Sequence, residues 1–394
     1  MGTPKQGARL GKTSEKKGST SPRHGGGTFR SCGSLSQHRT PPKLRRARQP
    51  LILHNFTNTN MAASPLGKEV QEPPADGVTA LRFSARGLLL ASSWDGTARL
   101  YDNLVQRGAF SHRVPVLDCC FQDSSESVIF TAGLDAVVKR YDFFSRSEAK
   151  VAEHSKAVRC VEYLPDLKLL VTGSWDGTLR IWNPQAPFGQ NLVNTLYLPD
   201  RVFTMAQSQS RLVIGTAGRQ VLIYDLKMLG RSVPVSAEQQ RESSLKHQTR
   251  CIRCHPDGTG YTLSSIEGRV AVEYFDPGEA AQAAKYAFKC HRRNEGGKEA
   301  IFPINSMAFH PVLGTFATGG CDGVVNMWDG KNQKRLCQLT GYPTSIAAMA
   351  FSPDGSRLAI ASSYTYEHGE VEHAQDSIFI RNMAESEVRP KPRK

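Results

Sequence analysis

Leu169-Leu170-Val171-Thr172-Gly173-Ser174-Trp175-Asp176-Gly177-Thr178-Leu179-Arg180-Ile181-Trp182-Asn183 decides the architecture, because residues 88–102, Leu-Leu-Leu-Ala-Ser-Ser-Trp-Asp-Gly-Thr-Ala-Arg-Leu-Tyr-Asp, match it position for position. Apolar and small residues alternate on either side of an Asp-Gly pair. Period-two alternation signals strands, and Asp-Gly suits the positive φ of a tight hairpin. The stretch therefore reads as two strands, 169–174 and 178–182, with a third over 158–163 in front of them. Further copies run from Phe130 to Asp142 and from Phe316 to Asp329, and weaker ones end at Asp225 and near Tyr274.

The turn positions Asp95, Asp135, Asp176, Gly218, Glu267, Asp322 and Thr365 are 40, 41, 42, 49, 55 and 43 residues apart. Seven units at this period predict an all-β, seven-bladed WD-repeat β-propeller. A four-stranded blade cannot bury both faces alone, whereas seven around an axis can. The last unit offers strands over 346–351, 357–362 and 378–381 before the chain turns polar, so residues 66–73 are expected to supply its outer strand and close the ring. The domains follow: a disordered basic N-terminal tail over 1–64, the propeller over 65–382 and a polar C-terminal tail over 383–394.

The formal charge is +14, but residues 1–50 hold twelve Lys and Arg against Glu15 alone, and residues 66–394 net only +3. A near-neutral body does not support a nucleic-acid groove, and no apolar run is long enough to span a membrane. The tail is too poor in apolar residues to offset its chain entropy. Its Arg- and Ser-rich composition could imitate a transit peptide, and the change of composition at Met61-Ala62-Ala63-Ser64 could mark a translation start. Nine scattered cysteines point to free thiols in a reducing compartment. Cys251-Ile252-Arg253-Cys254-His255 has the spacing of haem attachment but aligns with the first strand of a repeat, so it reads as scaffold. His368 and His373 lie among acids without ligand-like spacing. No cluster of acids, bases or metal ligands suggests catalysis, and no cofactor or metal is expected.

Trp182, Trp328, Asp329 and Asp102 hold signature positions and read as scaffold, and His154, Ser174 and Asp176 could bond with Trp182 inside one blade. Trp94 and Trp175 differ: they precede the Asp-Gly turn, where little is available to cover an indole, while other repeats put Leu134, Ala217, Ile266 and Cys321 there. They read as partner anchors. In a propeller, the start of the innermost strand, the turn between the second and third strands and the end of the outermost strand share one face. Trp94, Trp175, Arg250, Arg269 and Lys289 should therefore face the same way, with Lys246 and Arg241 nearby. Such a face suits an acidic or phosphorylated peptide.

Several segments go beyond generic repeats: 73–77 (Pro-Pro-Ala-Asp-Gly), 116–119, 159–163 (Arg-Cys-Val-Glu-Tyr), 215–219, 241–246, 248–250, 265–273 (Ser-Ile-Glu-Gly-Arg-Val-Ala-Val-Glu), 286–292 and 342–346. Over about residues 66–382 the chain resembles the WD-repeat proteins of the mitotic spindle checkpoint, the propeller partners of the Bub kinases. The resemblance implies a non-enzymatic adaptor, a monomeric propeller within a complex, nuclear and at kinetochores in mitosis with some in the cytoplasm. It would hold a Bub-type checkpoint kinase and the related pseudokinase through a short acidic motif. It would dock them on a phosphorylated kinetochore scaffold. Carried over by motif, Arg250 would pair with motif glutamates, Trp94 and Trp175 would pack on the motif, with Lys246 and Arg241 beside them, and Arg269 with Lys289 would grip phosphothreonine. The chain departs from the family at His247, beside Arg241, and at Ala283 and Ala284 before Lys285. Leu245-Lys246-His247-Gln248 is more like the sister family of messenger-RNA export propellers that bind a nucleoporin, the alternative reading. A ubiquitin-ligase receptor is disfavoured, because the repeat endings at Asp102, Asp225 and Asp329 lack Arg two positions later.

Overall fold

Repeated alternation and hairpin turns build seven antiparallel four-stranded sheets. The computed structural model describes residues 66–122, 126–231 and 234–391; the residue 1–64 tail, apart from any role assigned to it, lies outside them. We number the blades by their innermost strands: Val78–Phe83, Val116–Phe121, Val158–Leu164, Val202–Gln207, Thr249–Cys254, Ile304–Phe309 and Ile346–Phe351. Each inner strand packs beside the next, and the seventh lies against the first, where Val78 N donates to Ser363 Oγ at 2.9 Å. The ring is closed.

Closure uses the chain's own beginning. Lys68–Glu69 pairs antiparallel with Ser377–Asn382, opposite Ile380 and Phe379, and forms the outer strand of blade 7. An edge that would otherwise offer unpaired backbone groups is covered. Past the last strand the chain stays on the propeller. The short helix Glu385–Val388 buries Val388 in the cluster between blades 6 and 7, and Arg381 holds Glu387 with two bonds of 2.8 and 2.7 Å.

The core is divided among the blade interfaces. Seven apolar clusters each join two neighbouring sheets, from Leu90 and Ile129 between blades 1 and 2 to Ala91 and Ala361 between blades 7 and 1. Each fully buried Leu or Ile contributes ~1.5–3 kcal/mol, and no interface is complete without its neighbour. The approach is close: a Cβ on Gly173 would lie 2.8 Å from Val202 Cγ1 of the next blade.

Two blades carry the same polar ladder. In blade 3 the Trp182 indole N–H donates to Thr172 Oγ1 at 2.8 Å, Thr172 pairs with His154 Nε2 at 2.7 Å, and His154 Nδ1 meets Asp176 Oδ2 at 3.0 Å. Blade 6 repeats it with Trp328, Thr318, His291 and Asp322 at 2.9, 2.8 and 2.8 Å. An aspartate accepts only, so it fixes the imidazole tautomer, and the threonine hydroxyl then donates to Nε2. The structure corrects one detail of the sequence reading. Thr172 is the member of the ladder, whereas Ser174 bonds the carbonyls of Lys156 and Ala157. Strand alternation puts 172 on the same side of its sheet as its neighbour 180, and 174 at the strand end. Burial works against ionised Asp176, but the bonds from His154 and Thr178 overcome it and hold the carboxyl well below its usual range.

The longer repeats are explained by insertions. The helix Leu226–Leu229 lies in the interval of 49 residues; the helix Glu279–Ala283 and the hairpin Arg292–Glu295 with Lys298–Ile301 lie in that of 55.

Candidate functional site

Every inner strand has a register shift at its second residue, where two residues oppose one on the neighbouring strand. Such a bulge breaks the two-residue alternation and re-aims a side chain. The residues at the shift are Thr79, Leu117, Arg159, Phe203, Arg250, Asn305 and Ala347, one per blade, and all seven line one cavity of about 700 Å3 at an end of the central channel. The turns between second and third strands add Trp94, Trp175 and Tyr364 to its wall.

Trp94, Trp175 and Arg250, read from distant repeats, are thus brought together. Trp94 is 46% exposed and its backbone is fixed by Trp94 N donating to Gly77 O at 2.8 Å. Trp175 is half-buried and is held likewise by Ala157 O at 3.0 Å. Among the described residues the Trp175 indole N–H and the Thr249 hydroxyl are buried without a hydrogen-bond partner. No ion pair among the described residues engages Arg250, which is exposed. Deeper in the channel, charges compensate one another: Arg82 lies 3.3 Å from Asp118 and 3.2 Å from Glu162. Burial pushes the Glu162 carboxyl above its usual range against the pull of Arg82.

Arg269 and Lys289 are placed elsewhere on blade 5. They are direct cross-strand neighbours at the ends of Arg269–Tyr274 and Tyr286–Lys289. Lys289 is exposed, and Arg269 is half-buried with Nε 3.7 Å from Glu267 Oε2. Two cations side by side suit a dianionic oxygen cluster. Lys246 is exposed on the loop before Thr249, and neither it nor this pair lines the cavity. Arg241 is not brought to the mouth. Its guanidinium donates to Tyr274 O at 2.7 Å and Phe275 O at 3.2 Å, tying the outer strand of blade 4 to the end of a blade 5 strand. The sequence placed it by neighbourhood, but its partner carbonyls are more than thirty residues away.

Three mouth residues escaped the sequence reading. Tyr364 precedes Thr365 as Trp94 precedes Asp95, so the repeat ruler already contained that signal. Arg159 and Phe203 align with Arg250 at the second position of their strands, but the bulge that turns them inward leaves no local mark. Among the described residues no three His, Cys, Asp or Glu side chains converge as a metal centre. The Cys251 and His255 pair stays in the scaffold, with Cys251 buried and His255 Nε2 3.1 Å from Thr262 Oγ1.

The model of the WD domain, G-beta repeat, matches residues 67–102, 146–183, 288–329 and 333–365. The chain is 52% identical over 332 residues to mitotic checkpoint protein BUB3.1 of Arabidopsis thaliana, covering 83% of this chain and 96% of that one. It is 45% identical over 325 residues to mitotic checkpoint protein bub3 of Dictyostelium discoideum, covering 81% and 96%. Against protein Rae1 of Drosophila melanogaster the identity is 35% over 343 residues, covering 82% and 95%.

Proposed function

The chain belongs to the BUB3 family of WD40-repeat mitotic checkpoint proteins, and from that premise we propose that it is a non-enzymatic adaptor joining a Bub-type checkpoint kinase, or the related pseudokinase, to a phosphorylated kinetochore scaffold. The kinase contributes an extended acidic segment laid in the channel mouth. The observation that carries the reading is the shared cavity: two tryptophans and an unpaired arginine line one depression, with Tyr364 and Phe203 beside them. Arg250 meets motif carboxylates, the indoles cover apolar side chains, and the unpartnered N–H of Trp175 and hydroxyl of Thr249 offer hydrogen bonds. Phosphothreonine of the scaffold takes the Arg269 and Lys289 pair, and Lys246, exposed on the loop before Thr249, adds positive charge. The protein then works in the nucleus and at kinetochores.

Binding measured by titration calorimetry with the full chain tests this. Arg250→Ala removes an interface arginine and should weaken the kinase segment ~30-fold or more. Arg269→Ala removes a charge-assisted contact and should weaken only a phosphothreonine peptide of the scaffold, by ~10–100-fold. Unchanged kinase-segment binding by the Arg250 variant refutes the assignment. The alternative, an adaptor of messenger-RNA export, draws on the similarity to Rae1 and on Leu245-Lys246-His247-Gln248; tighter binding of a nucleoporin segment than of the kinase segment would establish it instead.

A further inference from the structure

A second concave surface, of about 670 Å3, lies where blades 1 and 2 meet, toward the end of the disc opposite the mouth. Its place follows from the sheets: in an antiparallel blade the turns after the first and third strands lie at the other end from the turn between the second and third. The floor is apolar. Leu88 and Phe110 of blade 1 and Phe143 of blade 2 extend the buried cluster between these blades outward, with Phe110 and Phe143 edge to face at 4.7 Å. Phe144 adds a ring that is 87% exposed. It stands on a held turn, since Phe144 N donates to Asp142 Oδ1 at 2.9 Å and Phe143 N to Ser127 O at 2.8 Å. A solvent-facing phenylalanine on a fixed turn beside an apolar floor suits the anchor of a partner.

The rim of this groove has one sign. Arg86 on the turn after the first strand of blade 1, Arg107 on the outer strand of that blade and Arg146 on the turn after the third strand of blade 2 all line it. Among the described residues no ion pair or side-chain hydrogen bond engages the guanidinium of Arg86 or Arg146, and Arg107 meets Asp102 at 3.1 Å in an exposed pair, a weak tie. The one acid among the described lining residues, Glu126, is 6% exposed and accepts from the backbone N–H of Arg86, so it is spent on joining the two blades. Guanidinium groups around an apolar floor match carboxylates that flank an apolar side chain. Residues 1–50, with twelve Lys and Arg against Glu15, have the wrong sign to fill it.

We infer that this groove docks an acidic segment of another protein, with one aromatic or aliphatic side chain seated on Phe110, Phe143 and Phe144 and flanking carboxylates on Arg86, Arg107 and Arg146. The site is separate from the mouth and does not depend on the reading given to it. Because the two lie toward opposite ends of the disc, both can be filled at once, and the propeller carries a further component while the mouth is occupied.

Panning a displayed library of randomised peptides on the full chain, then measuring enriched peptides by fluorescence polarisation, tests this. One enriched class should hold an aromatic or aliphatic residue among acids. Its members should bind the F144S and R86Q/R146Q proteins ~tenfold more weakly or worse, and the Trp94→Ala protein as tightly as the parent. Phe144, Arg86 and Arg146 are exposed, so the urea midpoints of these variants should match that of the parent. The inference is overturned if every acidic peptide loses affinity on Trp94→Ala and none does on F144S. Peptides weakened by R86Q/R146Q but indifferent to F144S mark a plain anion site and also overturn it. Single-stranded polyuridylate is measured in parallel; RNA binding that R86Q/R146Q abolishes, with no such peptide class enriched, assigns the groove to nucleic acid and defeats the proposal.

Discussion

Replacing Thr172 by Val should destabilise the propeller more than any surface change. The side chains are nearly isosteric, so packing around this fully buried position is kept. What is lost is the hydroxyl that joins Trp182 Nε1 at 2.8 Å to His154 Nε2 at 2.7 Å. Trp182 and His154 are both buried, so the orphaned nitrogens are left inside the blade. Each buried polar group left unpaired costs ~1–3 kcal/mol. Two of them cost ~2–6 kcal/mol, reduced by ~0.5 kcal/mol for the better strand propensity of Val, which is a large share of the ~5–15 kcal/mol of a typical domain. Urea denaturation followed by tryptophan fluorescence measures it. Thr318→Val should cost less, because Trp328 is only half-buried. Thr131→Val should cost less again, because Thr131 bonds only His112 Nε2 and the Tyr141 hydroxyl beside them has no partner among the described residues. A Thr172→Val protein within 1 kcal/mol of the parent, a margin at the bottom of the per-group range, would refute the ladder as a stabilising element, as would equal losses in all three variants.

Burial lowers the His112 pKa from its ordinary 6.5 to about 4. The folded state therefore resists a proton that the unfolded chain accepts, so stability contributed by neutral His112 is complete above pH 6.5 and is lost as pH falls toward 4. The loss is ~3 kcal/mol at most, and His112→Gln should flatten the dependence of the urea midpoint on pH over that window; an unaltered slope would contradict it. Removing residues 66–73 strips Lys68–Glu69 from Ser377–Asn382 and exposes a pairing edge. Light scattering should then show association that rises with concentration, and a stable monomer of the truncated chain would count against closure by this strand.

The blades could be read because their determinants are local. Leu179 and Ile181 on either side of Arg180 show the alternation, and Asp176-Gly177 supplies the turn. Mouth residues were legible only where a side chain broke the repeat pattern, as Trp94 and Trp175 do. Arg159 and Phe203 look like ordinary strand residues, since the bulge that redirects them is set by pairing with the next strand. Arg241 looked available because its engagement with Tyr274 and Phe275 lies in another blade.

By itself the amino-acid order determined the number of blades, the strands within them and the turns that carry exposed indoles, because hydrophobic alternation and turn chemistry act over a few residues. Only the tertiary structure decided which side chains meet. Ring closure sets Val78 beside Ser363, seven bulges turn one residue per blade into a common cavity, and turns from separate blades add Trp94, Trp175 and Tyr364 to its wall. Convergence of that kind is a property of the closed circle, since each blade contributes one side chain and none contains the site.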